Sequence, residues 1–276
     1  MSPRSKRLKL AFAVIILSVL NACSNETPRH FDTLIRGGTI YDGSGNAPYI
    51  SDLGILHDRI TAIGQLDSAT AENVIDAEGK AVSPGFINMI GWGVTSLIND
   101  GRGLSDITQG ITLEVFGEGH SMGPLSPAMQ AEFPKYWDGI EPQWSTLGEY
   151  LEFLEAKGVS PNVASFIGAT TPRIYVLGQG DVDPTSEQLQ RMQDLVRDAM
   201  REGAMGVASS LIYTPASFAE TDELIALAQA AAEYGGIYAS HLRNEGKQIF
   251  SALDELITIA REANIPAEIY HIKIAH

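Results

Sequence analysis

Cysteine is nearly missing from this chain: Cys23 is the only one in 276 residues, so no intrachain disulfide can form. Basic residues are also scarce. Nineteen Lys and Arg stand against 34 Asp and Glu, for a formal net charge of -15. Phosphate binding rests on clustered Lys and Arg, so this balance argues against a nucleic-acid partner, although it says nothing about fold. No repeat of the solenoid kind is present. The apolar run at residues 10–20 is too short to cross a bilayer, which takes about 20 residues. What is there is a globular composition, 44% hydrophobic and 19% charged. The length suffices for one barrel of about 250 residues.

The first 23 residues read as a targeting segment. Arg4, Lys6, Arg7 and Lys9 form a basic stretch, the apolar run follows, and Leu20-Asn21-Ala22-Cys23 closes it. That ending resembles a bacterial lipoprotein processing site, which implies lipid on Cys23 as the mature N-terminus. Ser24 in the next position implies sorting to the outer membrane. The expected location is therefore the cell envelope, facing the periplasm, with the membrane reached through the lipid anchor. The plainer alternative is a short anchor with an incidental cysteine. Residues 24–30 read as a polar tether.

Residues 31–82 alternate in short runs broken by turn signals, among them Gly37-Gly38, Asp42-Gly43, His57-Asp58 and Glu78-Gly79. This predicts a small β-domain. From residue 83 onward, strand-like and helix-like runs alternate, which predicts βα units on a parallel sheet. The strands are expected at 85–90, 111–117, 162–168, 204–209, 237–241 and 268–271. The helices are expected at 146–157, 186–202, 222–234 and 247–263, with Thr221 capping the third. The fold class is thus α/β: a TIM-like (β/α)8 barrel of which about six strands are present, plus the N-terminal β-domain. Six strands are two short of closure, and the simplest account is a longer protein whose remaining strands follow His276.

Two histidines carry the chemistry. His241 and His271 each end a strand-like run, with a helix-like stretch between. Strand C-termini of a parallel βα barrel face one mouth, where catalytic groups gather, and neutral imidazole is a common zinc ligand. A histidine satisfied by ordinary hydrogen bonds is the bland alternative for each.

The surrounding block, residues 203–246, reads GAMGVASSLIYTPASFAETDELIALAQAAAEYGGIYASHLRNEG. It resembles the N-acyl-D-amino-acid deacylases (D-aminoacylases) of the amidohydrolase superfamily. Tyr270-His271-Ile272-Lys273 resembles that family's His-x-Lys motif. Ser83-Pro84-Gly85-Phe86-Ile87-Asn88 resembles the entry into its first barrel strand, and Leu34 to Gly43 its N-terminal β-segment. The resemblance implies that Lys273 binds the substrate carboxylate, and Arg243 is a further candidate contact. Ser209, Ser210 and Tyr213, from the loop after the fourth strand, are placed either to hydrogen-bond the acyl or carboxylate groups or to serve as ordinary strand-end polar residues. Lys273 could instead simply snorkel at the rim.

The departures are specific. The family's first strand ends His-x-His, and this chain has Ile90-Gly91-Trp92, which cannot ligate a metal. The family's second strand ends on a metal-binding cysteine. Here the stretch is Glu114-Val115-Phe116-Gly117-Glu118-Gly119-His120. Glu118 is a competent zinc ligand or a solvated loop charge. Glu114 is placed to project into the barrel, and His120 is a second candidate in the same turn. The expected site is one Zn2+ held by Glu118, His241 and His271. The general-base aspartate that the resemblance implies lies beyond His276, so this stretch alone is expected to be inactive. The implied activity is metal-dependent hydrolysis of amide bonds in N-acyl-D-amino acids or small peptides. The alternatives are a related amidohydrolase acting on a dipeptide or cyclic amide, and a catalytically dead barrel acting as a binding protein.

Overall fold

The computed structural model describes residues 29–275. Cys23 and the expected signal segment lie outside the described residues, as does His276. The chain divides at Pro84 and Gly85 into two compact units.

The first unit is a five-stranded sheet of β1 (His30–Ile40), β2 (Tyr49–Leu56), β3 (Arg59–Gly64), β4 (Thr70–Asp76) and β5 (Ala81–Val82). The order is β3-β2-β1-β4, with β5 also paired to β1. β2 and β3 make a hairpin through His57 and Asp58, and the His57 amide donates to the Asp32 carboxylate. Asp52 pins the middle of the sheet, accepting from the Gly37 amide at 2.9 Å and the Leu66 amide at 3.2 Å. Phe31, Leu34, Leu66 and Ala69 form its core.

The second unit carries parallel strands β6 (Phe86–Asn88), β7 (Ile111–Phe116), β8 (Asn162–Ser165), β9 (Ile167–Gly168), β10 (Gly206–Ser210), β11 (Ile237–His241) and β12 (Ala267–Ile269). They pair as β6-β7-β8 and β9-β10-β11-β12. β8 and β9 are one run of chain interrupted at Phe166, so the two sheets form a single arc. The Phe166 amide donates to the Phe116 carbonyl and the Met205 amide to the Ser165 carbonyl, both at 2.9 Å. Counted this way, six strand positions follow one another in chain order, as the alternating pattern predicts. The outer strands β6 and β12 do not pair with each other among the described residues, so no closed barrel forms.

The period of two along each strand sorts the side chains. Val115, Phe166, Ala208, Ala239 and Tyr270 gather on one face. Phe116, Ile167, Val207 and Tyr238 go to the other, under the helices. The helices are α1 (Ser96–Asn99), α2 (Leu104–Ile107), α3 (Pro127–Tyr136), α4 (Leu147–Lys157), α5 (Thr170–Leu177), α6 (Ser186–Arg201), α7 (Thr221–Ala232) and α8 (Ile249–Glu262). Capping boxes start α4 at Thr146 with Glu149, and α6 at Thr185 with Gln188.

The structure corrects three details. Thr221 is the first residue of α7 rather than its cap; Glu220 holds the cap position, and the Thr221 hydroxyl donates to Glu255 at 2.9 Å. The fourth strand position begins at Gly206 and reaches Ser210. The last strand ends at Ile269, so His271 lies two residues past it, with φ 33°.

Candidate metal centre

Glu118 reaches its position through a tight loop after β7. Gly117 has φ 101°, and a Cβ there would sit 2.3 Å from the Phe166 carbonyl oxygen. Gly119 has φ 71°, and a Cβ there would meet Ser210 Cβ at 2.7 Å. Only glycine tolerates both the left-handed backbone and this approach. The loop therefore lies directly on the ends of β9 and β10, and the Thr170 amide donates to the Gly119 carbonyl at 3.0 Å. This closeness holds a carboxylate, 9% exposed, over the strand ends.

His241 ends β11 in register with Ser210 of β10. Its Nδ1 lies 3.1 Å from Glu118 Oε1. His271, left-handed and less buried, brings Nε2 to 3.6 Å from the same oxygen. The two imidazoles meet edge to face, with centroids 4.4 Å apart. One donor atom from each of Glu118, His241 and His271 falls within 4.8 Å of the other two. The three residues named from sequence as ligands therefore do converge. Their donor set, two imidazoles and one carboxylate, is one that holds zinc in hydrolytic enzymes. It fits a divalent metal. The side chains of Ile90 and Trp92 carry no metal-donor atom.

Trp92 has another role here. Its indole Nε1 donates to Glu118 Oε2 at 3.0 Å, leaving Oε1 facing the histidines. Trp92, Glu118, His120, Thr170, Ser210, Tyr213 and Ala216 line a cavity of about 350 Å3. Ser210 and Tyr213 thus flank the site, and the Tyr213 ring packs edge-on against His241 at 5.4 Å. Burial pushes the His120 imidazole below its ordinary pKa. A larger hollow of about 690 Å3 lies against α4 and is lined by none of these residues.

Other candidates are placed elsewhere. Ser209 shares the strand face of Tyr238, and its hydroxyl bonds Tyr238 Oη at 2.6 Å and Ser240 Oγ at 2.9 Å on the helix side. Glu114 alternates with Val115 and also points under the helices; burial raises its carboxyl pKa, with Asp106 adding to the effect. Arg243 does not join the cluster. Its guanidinium clamps Glu255 and donates to the carbonyls of Ser217 at 2.9 Å and Ala219 at 2.7 Å. Lys273 does join it, through Glu245: Nζ lies 2.6 Å from Glu245 Oε1 and 3.0 Å from His271 Nδ1. The engagement of Trp92 and Glu245 was not read from the sequence as part of the site. The signal for Glu245 was its place four residues after His241.

No protein-family profile matches the chain. It is 36% identical over 253 residues to D-aminoacylase of Alcaligenes xylosoxydans xylosoxydans, an alignment that covers 91% of this chain and 52% of that protein. It superposes on a crystal structure of D-aminoacylase, described as defining a novel subset of amidohydrolases, with a TM-score of 0.81 and 34% identity, over 88% of this chain and 52% of the other. It is a homologue of the D-aminoacylases, within the amidohydrolase superfamily. A third relative is the N-acyl-D-glutamate deacylase of Bordetella bronchiseptica, solved with zinc and a phosphonate inhibitor. There the TM-score is 0.77 at 31% identity, over 87% of this chain and 51% of that one. This deacylase homologue spans about half the length of the curated relatives it matches.

Proposed function

We propose that the protein hydrolyses the amide bond of N-acyl-D-amino acids, or of small peptides like them, with one zinc ion at Glu118, His241 and His271. The observation that carries this reading is the convergence of those three donors at the ends of parallel strands, in a chain homologous to deacylases. A zinc ion in such a site supplies Lewis-acid polarisation of the amide carbonyl and acidifies a water. The chain's own residues do the rest. Trp92 fixes Glu118 through Oε2. The Ser210 hydroxyl and Tyr213 ring line the cavity in which the acyl or carboxylate group would lie. Lys273 supplies the cation nearest to the histidines, available to a substrate carboxylate once it leaves Glu245.

The single-metal reading rests on Ile90 and Trp92, whose side chains cannot donate. A binding protein without catalysis is the second reading, favoured by the indole that occupies one oxygen of Glu118. We also propose a lipid anchor at Cys23 and an envelope location. Metal analysis and turnover of N-acetyl-D-amino acids by a full-length protein carrying this stretch test the main reading. One equivalent of zinc with turnover supports it. Two equivalents overturn the single-metal assignment, and absence of both metal and turnover leaves the binding reading.

A further inference from the structure

Each imidazole of the pair has two nitrogens, and the second of each faces one oxygen. His241 Nε2 lies 3.3 Å from Glu245 Oε1, and His271 Nδ1 lies 3.4 Å from the same atom. The two rings are sandwiched between carboxylates, Glu118 on one side and Glu245 on the other. We infer that Glu245 is a positioning residue for the metal centre: one carboxylate oxygen takes the remote N–H of both histidines and so fixes which nitrogens face Glu118. The inference rests on the metal site proposed above.

Three observations carry it. First, His241 Nε2 is buried and has no directed hydrogen bond, although Glu245 Oε1 is within reach. A buried N–H in that state needs an acceptor, and Glu245 is the carboxylate beside it. Metal on His241 Nδ1 leaves the proton on Nε2, which then requires that acceptor. Second, Glu245 is itself held. Lys273 Nζ donates to Oε1 at 2.6 Å, and the side chain is 11% exposed. Third, metal-bound histidines regularly donate their other N–H to a carboxylate, which sets tautomer and ring orientation. Here one carboxylate serves two rings because it lies four residues after His241, on the loop that runs back past His271.

His271 Nδ1 has two suitors. Lys273 would donate to it, which puts the ring proton on Nε2, toward Glu118. Glu245 would accept from it, which frees Nε2 for the metal. With His271 Nε2 given to a metal, the second arrangement would hold, and Lys273 would keep Glu245 alone.

The test uses the 276-residue chain with zinc as the only added ligand. Zinc affinity is measured by competition with a chromophoric chelator, and histidine tautomers by 15N shifts. In the zinc-loaded wild type we expect His241 as Nε2–H and His271 as Nδ1–H. Glu245→Ala should lower affinity by about 10- to 100-fold, as loss of an outer carboxylate partner does. Glu245→Gln, which keeps one acceptor oxygen and the shape, should recover part of that loss. Wild-type binding with the opposite tautomers, or with Glu245→Ala affinity within about twofold, overturns the role of Glu245 while leaving the metal site standing. A wild type that binds no zinc overturns the metal site itself.

Discussion

Glu118 and His241 stand 123 positions apart in the chain, yet Oε1 of one lies 3.1 Å from Nδ1 of the other, with both side chains buried. Nothing local imposes this contact. It exists because a loop after β7 and the end of β11 open on the same edge of a parallel sheet, where such folds gather their chemistry. An imidazole and a carboxylate at that separation either share a proton or share a metal. Removing either should therefore abolish tight zinc binding. Glu118→Ala or His241→Ala should cost more than the roughly 10- to 100-fold typical of outer partners. Far-ultraviolet circular dichroism should stay unchanged, because neither side chain belongs to the large apolar core under the helices. Retained tight binding in both variants would sink the site.

Metal should also stabilise the fold, because the three ligands come from three separate segments that converge only in the native chain. A ligand that binds the native state alone adds about 2.7 kcal/mol at a hundredfold excess over Kd. Zinc should raise Tm in a concentration-dependent way, and Glu118→Ala should erase the rise. An unchanged wild-type Tm across saturating zinc would contradict this.

Gly117 sets the approach of the Glu118 loop. At φ 101°, with the Phe166 carbonyl 2.3 Å from where a Cβ would stand, alanine can fit only if the loop lifts. Gly117→Ala should destabilise the chain by roughly 1–3 kcal/mol through backbone strain alone. It should also weaken zinc binding, because Glu118 moves with the loop. Urea denaturation and the chelator assay read the two effects separately.

The strand order and the pair of histidines were legible because both follow from short-range patterns: period-two runs, and a histidine ending each of two runs. Helices α4, α6, α7 and α8 were legible because helix-like runs alternate with strand-like ones; the capping boxes that start α4 and α6 emerge from the structure. Helix α3 had the signal Ser126-Pro127, a cap followed by proline, but its apolar stripe is weak. The errors concern which way a residue faces. Ser209 and Glu114 lie beside site residues in sequence, and one step along a strand moves a side chain to the opposite face. Arg243 was read from its neighbourhood in a motif, whereas its partner Glu255 sits on α8, one helix later. The Trp92 contact to Glu118 joins two strand ends 26 positions apart, and no local pattern encodes it.

Lipidation of Cys23 is a prediction from the sequence around it. A basic stretch, a short apolar run and Leu20-Asn21-Ala22-Cys23 should direct cleavage before the cysteine and attachment of acyl chains. Stable anchoring takes two such signals, since a single chain binds marginally. Mass spectrometry of protein from a membrane fraction should show a lipidated N-terminal Cys23. Cys23→Ala should move the protein to the soluble fraction; an unmodified Cys23 at the membrane would refute the assignment.

The ion pair of Arg173 and Glu223 is almost wholly buried between α5 and α7. Arg173 also donates to the Val182 carbonyl at 2.8 Å. Losing one member of a buried pair leaves a charge uncompensated, so Arg173→Met should destabilise by roughly 3–5 kcal/mol. Replacing both at once, with Arg173→Met and Glu223→Leu, should cost less than the single change. The pair should also make stability depend on pH. Burial pushes the Glu223 carboxyl up to about 6, against the opposing pull of Arg173. A carboxyl raised above its unfolded value of 4.5 holds a proton in the folded state that the unfolded chain has already released. Between those two values the native state binds more protons, so stability must fall as pH rises. This contribution is complete below the lower value and gone above the higher one. The urea midpoint of the wild type should therefore drop relative to Glu223→Gln as pH climbs through that window. Parallel midpoints in the two proteins would show that Glu223 titrates as an ordinary carboxyl.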